Sequence, residues 1–362
     1  MTEFLLFSDF HAHNFRYGAS RQQHGGAYYN SRMLDAYAVL DEIASYATVN
    51  CVKAIVFGGD LFHQKQLQHT EVYNLVHDKL TQMVTAGATL YMLPGNHDYA
   101  DRSGLVHSLS TFKALGIHVL DDFNGNPVAL GDTPLFYTPY SDDADVLRRA
   151  FDRIEISAAK EKSPVLLSHL GIQGAKVGSD YVLISDRDVC VDDIPHEKFA
   201  GCFFGHFHEH QKVCKNGWYI GATHQHNWGD VGSKRGFLHV TIKGNKCEIS
   251  RIETNAPKFL VLDAGSESWT GWQGEWDVAS WTAQHFLRVV NGQGIMLPSD
   301  VTEACGNVEI IETSPEASAE VSFSAEKLNP AGAIAAWTKT HADELDVNRL
   351  TALGLSLLQE GV

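Results

Sequence analysis

The sequence predicts an α/β protein: two packed β-sheets with helices outside, then a smaller α+β unit and terminal helices. Three observations carry this. Short apolar runs alternate with helical patterns over the first 250 residues or so, which is the pattern of βαβ units with parallel strands. From Trp218 to Thr254 helical signals thin out and the chain reads as β-rich, which suits two sheets better than one open sheet. After about Asn255 the texture changes again. The 362 residues, 44% hydrophobic and 20% charged, match ordinary globular usage. At roughly 150 residues per domain they suggest two to three domains. The expected division is 1–255, 256–328 and 329–362.

The elements follow in order. Phe4–Phe7 is a buried apolar strand. Met33, Leu34, Tyr37, Leu40, Ile43 and Tyr46 recur at spacings of three and four, one face of a helix. Ala54–Phe57 is the next strand, stopped by Gly58-Gly59. Val72, Leu75, Val76, Leu80 and Met83 make a second amphipathic helix, and Thr89–Leu93 a third strand ended by Pro94-Gly95. Leu147–Ala158 reads as a helix. Leu135–Pro139, Val165–Ser168, Cys202–Phe204, Trp218–Ile220 and Phe237–Ile242 read as strands. In the smaller unit the expected strands are Phe259–Leu262, Phe286–Val290 and Val308–Ile311. Two terminal helices, Asn329–His341 and Asp346–Leu358, follow; the second has a Val347, Leu350, Leu353, Leu357, Leu358 stripe that either packs on its own domain or docks a partner.

Lys and Arg number 28 against 44 Asp and Glu, a formal charge of −16. This is not the profile of a free-standing DNA binder, although bound divalent ions or a basic partner supply local positive charge. Lys53, Lys65, Arg102, Lys176, Lys234 and Arg235 are scattered and read as surface charge. The six cysteines form no C-x-x-C and read as buried, reduced thiols of a cytoplasmic protein. No signal peptide and no apolar run long enough for a membrane span is expected.

The chemistry sits at the ends of expected strands. Asp9-Phe10-His11, Gly59-Asp60, Gly95-Asn96-His97-Asp98, Ser168-His169 and Gly205-His206-Phe207-His208 each follow an apolar run and begin a turn. In α/β sheets ligands bind outside the carboxyl ends of strands, so parallel neighbours would bring these side chains to one rim. Taken singly, D-x-H also suits a capping Asp, G-N-H-D a turn, and G-H-x-H a structural pair. Five in series do not arise by accident. Asp, His and Asn donors without Cys suit Mn, Fe, Zn or Ni. There are more of them than one ion needs, and a shared carboxylate bridges two ions in two-metal phosphate enzymes.

In this order the motifs resemble the calcineurin-like metallophosphoesterase superfamily, whose pattern is D-x-H, G-D, G-N-H-[DE], a lone His and G-H-x-H, over residues 3–245 here. The resemblance implies a four-layer α/β/β/α sandwich, with the smaller α+β unit as a cap, and a dinuclear metal site that activates hydroxide against a phosphate ester. Carried over, Asp9, His11 and His208 hold one ion, Asn96, His169 and His206 the other, and Asp60 bridges them. His97 faces the substrate, protonating the leaving oxygen or stabilising charge, and Asp98 orients His97 from behind. Mn is the expected ion, with Fe, Mg or Zn as alternatives. His13, His24, His210, His224 and His226 are expected behind the ligands or at the surface.

Within the superfamily, Gly59-Asp60-Leu61-Phe62-His63 looks like the G-D-x-F-H of SbcD-type nucleases of bacteria and phage, which makes His63 a DNA-positioning residue. The long loop Asn14–Asn30 and the stretch Tyr219–Asp230 also look like that branch. The implied activity is metal-dependent exonuclease on duplex DNA and endonuclease on single strands, in an SbcCD-like repair or recombination complex. The implied partners are DNA, an SbcC-like SMC-type ATPase and a second copy of the chain, with no membrane. The alternatives are a phosphodiesterase or phosphatase on a small nucleotide or phosphoprotein, and a non-catalytic module on the same fold.

Overall fold

In the computed structural model, which describes residues 1–101, 104–176, 187–266, 282, 284–292, 294–297, 299–302 and 307–311, two six-stranded sheets face each other across a shared apolar layer. The first has the order β14 (Lys246–Glu253), β13 (Gly236–Lys243), β1 (Thr2–Phe7), β4 (Ala54–Phe57), β5 (Thr89–Met92), β6 (His118–Val119). The second runs β11 (Gln211–Cys214), β12 (Gly217–Tyr219), β10 (Gly201–Gly205), β9 (Val165–His169), β8 (Thr133–Thr138), β7 (Val128–Leu130). Their central strands, β1–β4–β5–β6 and β8–β9–β10–β12, pair in parallel.

Side chains alternate across each strand, and this sorts one sequence into three apolar layers. Leu5 and Phe7 of β1 face α1 (Ser31–Val49) and α2 (Thr70–Thr85). Phe4 and Leu6 face Leu135, Val165, Leu167 and Phe203 of the second sheet. Phe136, Leu166 and Phe204 face outward to Leu147, Phe151 and Ile154 of α3 (Ala144–Ala158). The order helix, sheet, sheet, helix is thus built by strands buried on both faces, which is why they read as continuous apolar runs. Asn30 caps α1 by accepting from the N–H groups of Arg32 and Met33, and Asp143 caps α3. These caps place Arg32 in the first turn of α1.

A three-stranded parallel sheet, β15 (Phe259–Asp263), β16 (Phe286–Val290), β17 (Val308–Ile311), has its own small apolar cluster of Leu262, Leu287, Val289 and Val301. It belongs to the same compact unit, Met1–Glu312, as the two large sheets. The expected helices Asn329–His341 and Asp346–Leu358 lie outside the described residues.

Two expectations need correction. The segment Asn14–Asn30 is not all loop. It contains a hairpin, β2 (Arg21–His24) and β3 (Ala27–Asn30), turned by Gly25 and Gly26 at φ 53° and 85°. Gly-Gly suits the positive φ of such a turn, but the strands are largely exposed and carry no apolar alternation. Nor are the cysteines uniformly buried: Cys51 and Cys190 are exposed, while burial pushes the Cys247 thiol up to about 12. No helix among the described residues is long and apolar enough to cross a membrane.

Candidate metal centre

The chain leaving β1 runs beside the chain leaving β4. The N–H groups of Asp9 and His11 donate to the carbonyls of Gly59 and Asp60 at 2.9 and 3.0 Å. This locks the first two motifs together. Asp9, His11, Asp60 and His206 all have positive φ, at 51°, 48°, 62° and 105°. That conformation is rare outside glycine and costs of order 1–3 kcal/mol per residue. Four such residues in one cluster mark a site whose side-chain directions override backbone preference. Space is as tight as conformation: a Cβ on Gly59 would overlap the His169 ring, and one on Gly95 would overlap the Asp60 carboxylate.

All seven expected donors meet at this rim. His11 Nε2 lies 3.1 Å from His208 Nε2 and 3.6 Å from Asp60 Oδ2. Asp60 Oδ2 lies 3.5 Å from His169 Nε2. His169 Nε2 and His206 Nδ1 approach Asn96 Oδ1 at 3.1 and 2.9 Å. Donor atoms of Asp9, His11 and Asp60 fall within 4.8 Å of one another. Asp60 therefore stands between two groups, Asp9/His11/His208 and Asn96/His169/His206.

The donor set fits divalent cations. Asp9 Oδ1 accepts from the His206 N–H at 3.0 Å, but Asp9 Oδ2 is buried with no hydrogen-bond partner among the described residues. A bare carboxylate oxygen in the interior is costly, and a cation removes that cost. His169 donates Nδ1–H to the Gly58 carbonyl at 2.8 Å, which turns Nε2 toward Asp60 and leaves it as the nitrogen a cation would take once its proton is displaced. This is the usual posture of a metal-bound imidazole.

Around the donors, His97 gives its backbone N–H to Asp60 Oδ1 at 2.7 Å and its ring Nδ1–H to the His63 carbonyl at 2.6 Å. Its ring stacks on His63 at 5.5 Å and meets His11 edge-on at 4.7 Å. The expectation that Asp98 orients His97 is not met, because the His63 carbonyl holds that ring. Asp98 is fully buried and accepts from the N–H groups of Asp60, Leu61 and Gly95 at 2.8, 3.0 and 2.9 Å. It pins the Asp60 turn to the Gly95 turn, so its role is the loop geometry of two motifs at once.

Two residues were missed or misplaced by sequence reasoning. Arg235, expected as surface charge, is 5% exposed; it donates to the His208 carbonyl and pairs with Asp230 at 2.6 Å. Arg32 donates to the carbonyls of Tyr17 and His226 at 3.3 and 3.2 Å. Its guanidinium lies 4.6 Å from the Phe286 ring centre and 5.2 Å from that of Phe259. Those rings belong to β16 and β15, so Arg32 ties the small sheet to the centre. His226, expected behind the ligands or at the surface, is buried beside the first donor group, with its ring 5.1 Å from those of His11 and His208. No local motif marks Arg32, whose partner His226 is 194 residues away, or Arg235, although Asp230 lies only five residues before it.

Electrostatics reinforce the division. Burial alone would raise the Asp60 pKa, but His169, His11 and His97 hold its carboxyl well below the usual range. Burial would lower His169, yet Asp60 and then Asp9 beside it raise it to about 9. Burial, then His169, pushes His206 down to about 3. Burial, then His97, lowers His63 to about 4. Asp98 rises to about 7 through burial and then the Asp60 charge. Without cations, the Asp60 charge is balanced by a proton on His169, which a cation would displace.

Residues 2–210 match the family described as calcineurin-like phosphoesterase. With the sandwich and the donor cluster above, this makes the chain a member of that family, whose centre takes two divalent metal ions. No curated protein matches the chain. Among solved structures, a dimetal phosphatase from Danio rerio is similar over 69% of this chain and 98% of that one, at 10% identity and a TM-score of 0.42.

Proposed function

We propose that the chain is a metal-dependent phosphodiesterase acting on DNA, the nuclease component of an SbcCD-like system. The observation that carries the hydrolase reading is the position of Asp60 Oδ2, 3.6 Å from His11 Nε2 and 3.5 Å from His169 Nε2. One carboxylate oxygen there reaches both donor groups. On this reading Asp9, His11 and His208 hold one ion, Asn96, His169 and His206 the other, and Asp60 both, with Mn the expected metal and Fe, Mg or Zn the alternatives. Bound there, two divalent ions supply an activated water and neutralise phosphate charge.

The chain's own residues do the rest. The Asp60 N–H and the Gly95 N–H are fixed by Asp98, and the His97 N–H holds Asp60 Oδ1, so both the backbone and the carboxylate of Asp60 are positioned. His97 donates Nδ1–H to a carbonyl, which leaves Nε2 as the proton carrier for the leaving oxygen. His63, stacked on His97, backs that ring and offers an aromatic face beside the scissile position.

DNA as the substrate is supported by the sequence, in the G-D-x-F-H run that ends at His63 and the Tyr219–Asp230 stretch. The charge of −16 favours a second reading, a small nucleotide or phosphoprotein substrate. Under the DNA reading, an SMC-type ATPase and a second copy of the chain supply the remaining phosphate contacts, because salt-sensitive DNA binding needs several. End-labelled duplex and single-stranded DNA with Mn, beside a small chromogenic phosphodiester, separates the readings. The nuclease reading predicts DNA cut by the wild type and not by His97→Ala. Hydrolysis of the small ester with DNA left intact, also after adding the ATPase, would overturn it.

A further inference from the structure

We propose that His226 is a direct ligand of the Asp9/His11/His208 ion, a fifth coordinating histidine that the motif pattern does not contain. The inference rests on the reading of the centre as a dinuclear metal site. His226 is 5% exposed, so both ring nitrogens need partners. One has a partner: Nε2 lies 3.1 Å from the Asp9 carbonyl, which only accepts, so Nε2 carries the hydrogen. Nδ1 is then a lone pair, and it is buried without a hydrogen-bond partner among the described residues.

The surroundings supply the reason for it. His11, His208 and His226 each offer one nitrogen, and the three lie within 4.8 Å of one another. Nitrogens bound at about 2.1 Å to one ion lie roughly 3–4.2 Å apart, so a single cation among them satisfies all three with small adjustment. His226 resembles His169 in having one ring N–H on a backbone carbonyl, which holds the ring and leaves its second nitrogen for other partners. The ring is also held from its backbone. Its N–H donates to Asp230 Oδ2 at 2.7 Å and its carbonyl accepts from Arg32 at 3.2 Å.

The consequence is chemical asymmetry between the two ions. The Asp9 side gains a third imidazole, whereas the Asn96 side has two imidazoles and an amide oxygen. Nitrogen donors favour Fe, Co and Zn over Mn. The Asp9 position should therefore prefer those ions, and Mn should load more readily at the Asn96 position.

The test uses the full chain, labelled with nitrogen-15 in histidine, titrated with Co2+. The wild type should show five directly bonded imidazoles by their hyperfine-shifted resonances: His11, His169, His206, His208 and His226. His226→Gln should lose one of them, and one of its two ions should bind about 10–100-fold more weakly while the other is unchanged. If His226→Gln does not fold, the wild-type count decides. Two bound ions with only four bonded imidazoles would overturn this proposal alone. A wild type that binds no Co2+ would overturn the metallophosphoesterase reading with it.

Discussion

The two halves of the centre are built differently. The Asn96/His169/His206 half is made by the sandwich alone. His169 closes β9, His206 follows β10, and their nitrogens converge on one amide oxygen, with His169 braced by Gly58. The Asp9/His11/His208 half keeps buried atoms without partners, Asp9 Oδ2 and His11 Nδ1. It leans on residues far along the chain: Arg235 on the His208 carbonyl, His226 on the Asp9 carbonyl, and Arg32 between His226 and the small sheet. One half is therefore satisfied in its hydrogen bonds and supported by the turns at the strand ends of the sandwich. The other keeps bare buried atoms and leans on α1, the small sheet and the segment after β12.

That contrast can be broken at its centre first. Asp60→Ala removes the atom common to both halves, so both ions and activity should be lost together, activity by about three orders of magnitude or more. Metal analysis that found two firmly held ions would refute the bridging role. His97→Ala touches neither half. Cleavage should fall about 10²–10⁴-fold while elemental analysis still finds both ions, and loss of one would show that His97 is a ligand. Arg32→Leu should separate the halves. The Asp9-side ion should weaken about 10–100-fold in competition with a chelator, with the other unchanged; equal weakening of both would mean that the small sheet supports the whole centre.

The smallest effect is in pH. Metal-free His169 is raised to about 9 by Asp60 and Asp9, against burial. Below that value it holds a proton that a cation must displace, so affinity should rise with pH, by at most about tenfold per unit, and level off above about 9. Chelator competition across that range checks this. An affinity independent of pH would mean that His169 is neutral before loading.

The donors of both halves were legible in the sequence, whereas the supports of the Asp9/His11/His208 half were not. Strand ends such as Gly205-His206 and Ser168-His169 are legible because apolar runs stop there and the strands are buried on both faces. Donors read from local motifs converge at one rim. What was not legible depended on contacts across the chain. Nothing near Arg32 indicates that its guanidinium meets Phe286, and nothing near Arg235 distinguishes it from Lys234, which is exposed. Asp98 was given the wrong task because adjacency to His97 suggested a side-chain pair. Its carboxylate instead collects backbone N–H groups from two turns, a geometry visible only once β4 and β5 lie side by side. The β2–β3 hairpin was missed because an exposed ribbon has no apolar alternation to read, although Gly25-Gly26 marked its turn.

The central claim is that Asp60 joins two ions in one centre. Electron paramagnetic resonance of the Mn-loaded wild type tests it most directly. A bridging Asp60 predicts two ions per chain with an exchange-coupled signal, which the Asp60→Ala variant lacks. An isolated, uncoupled Mn signal at full loading would contradict it.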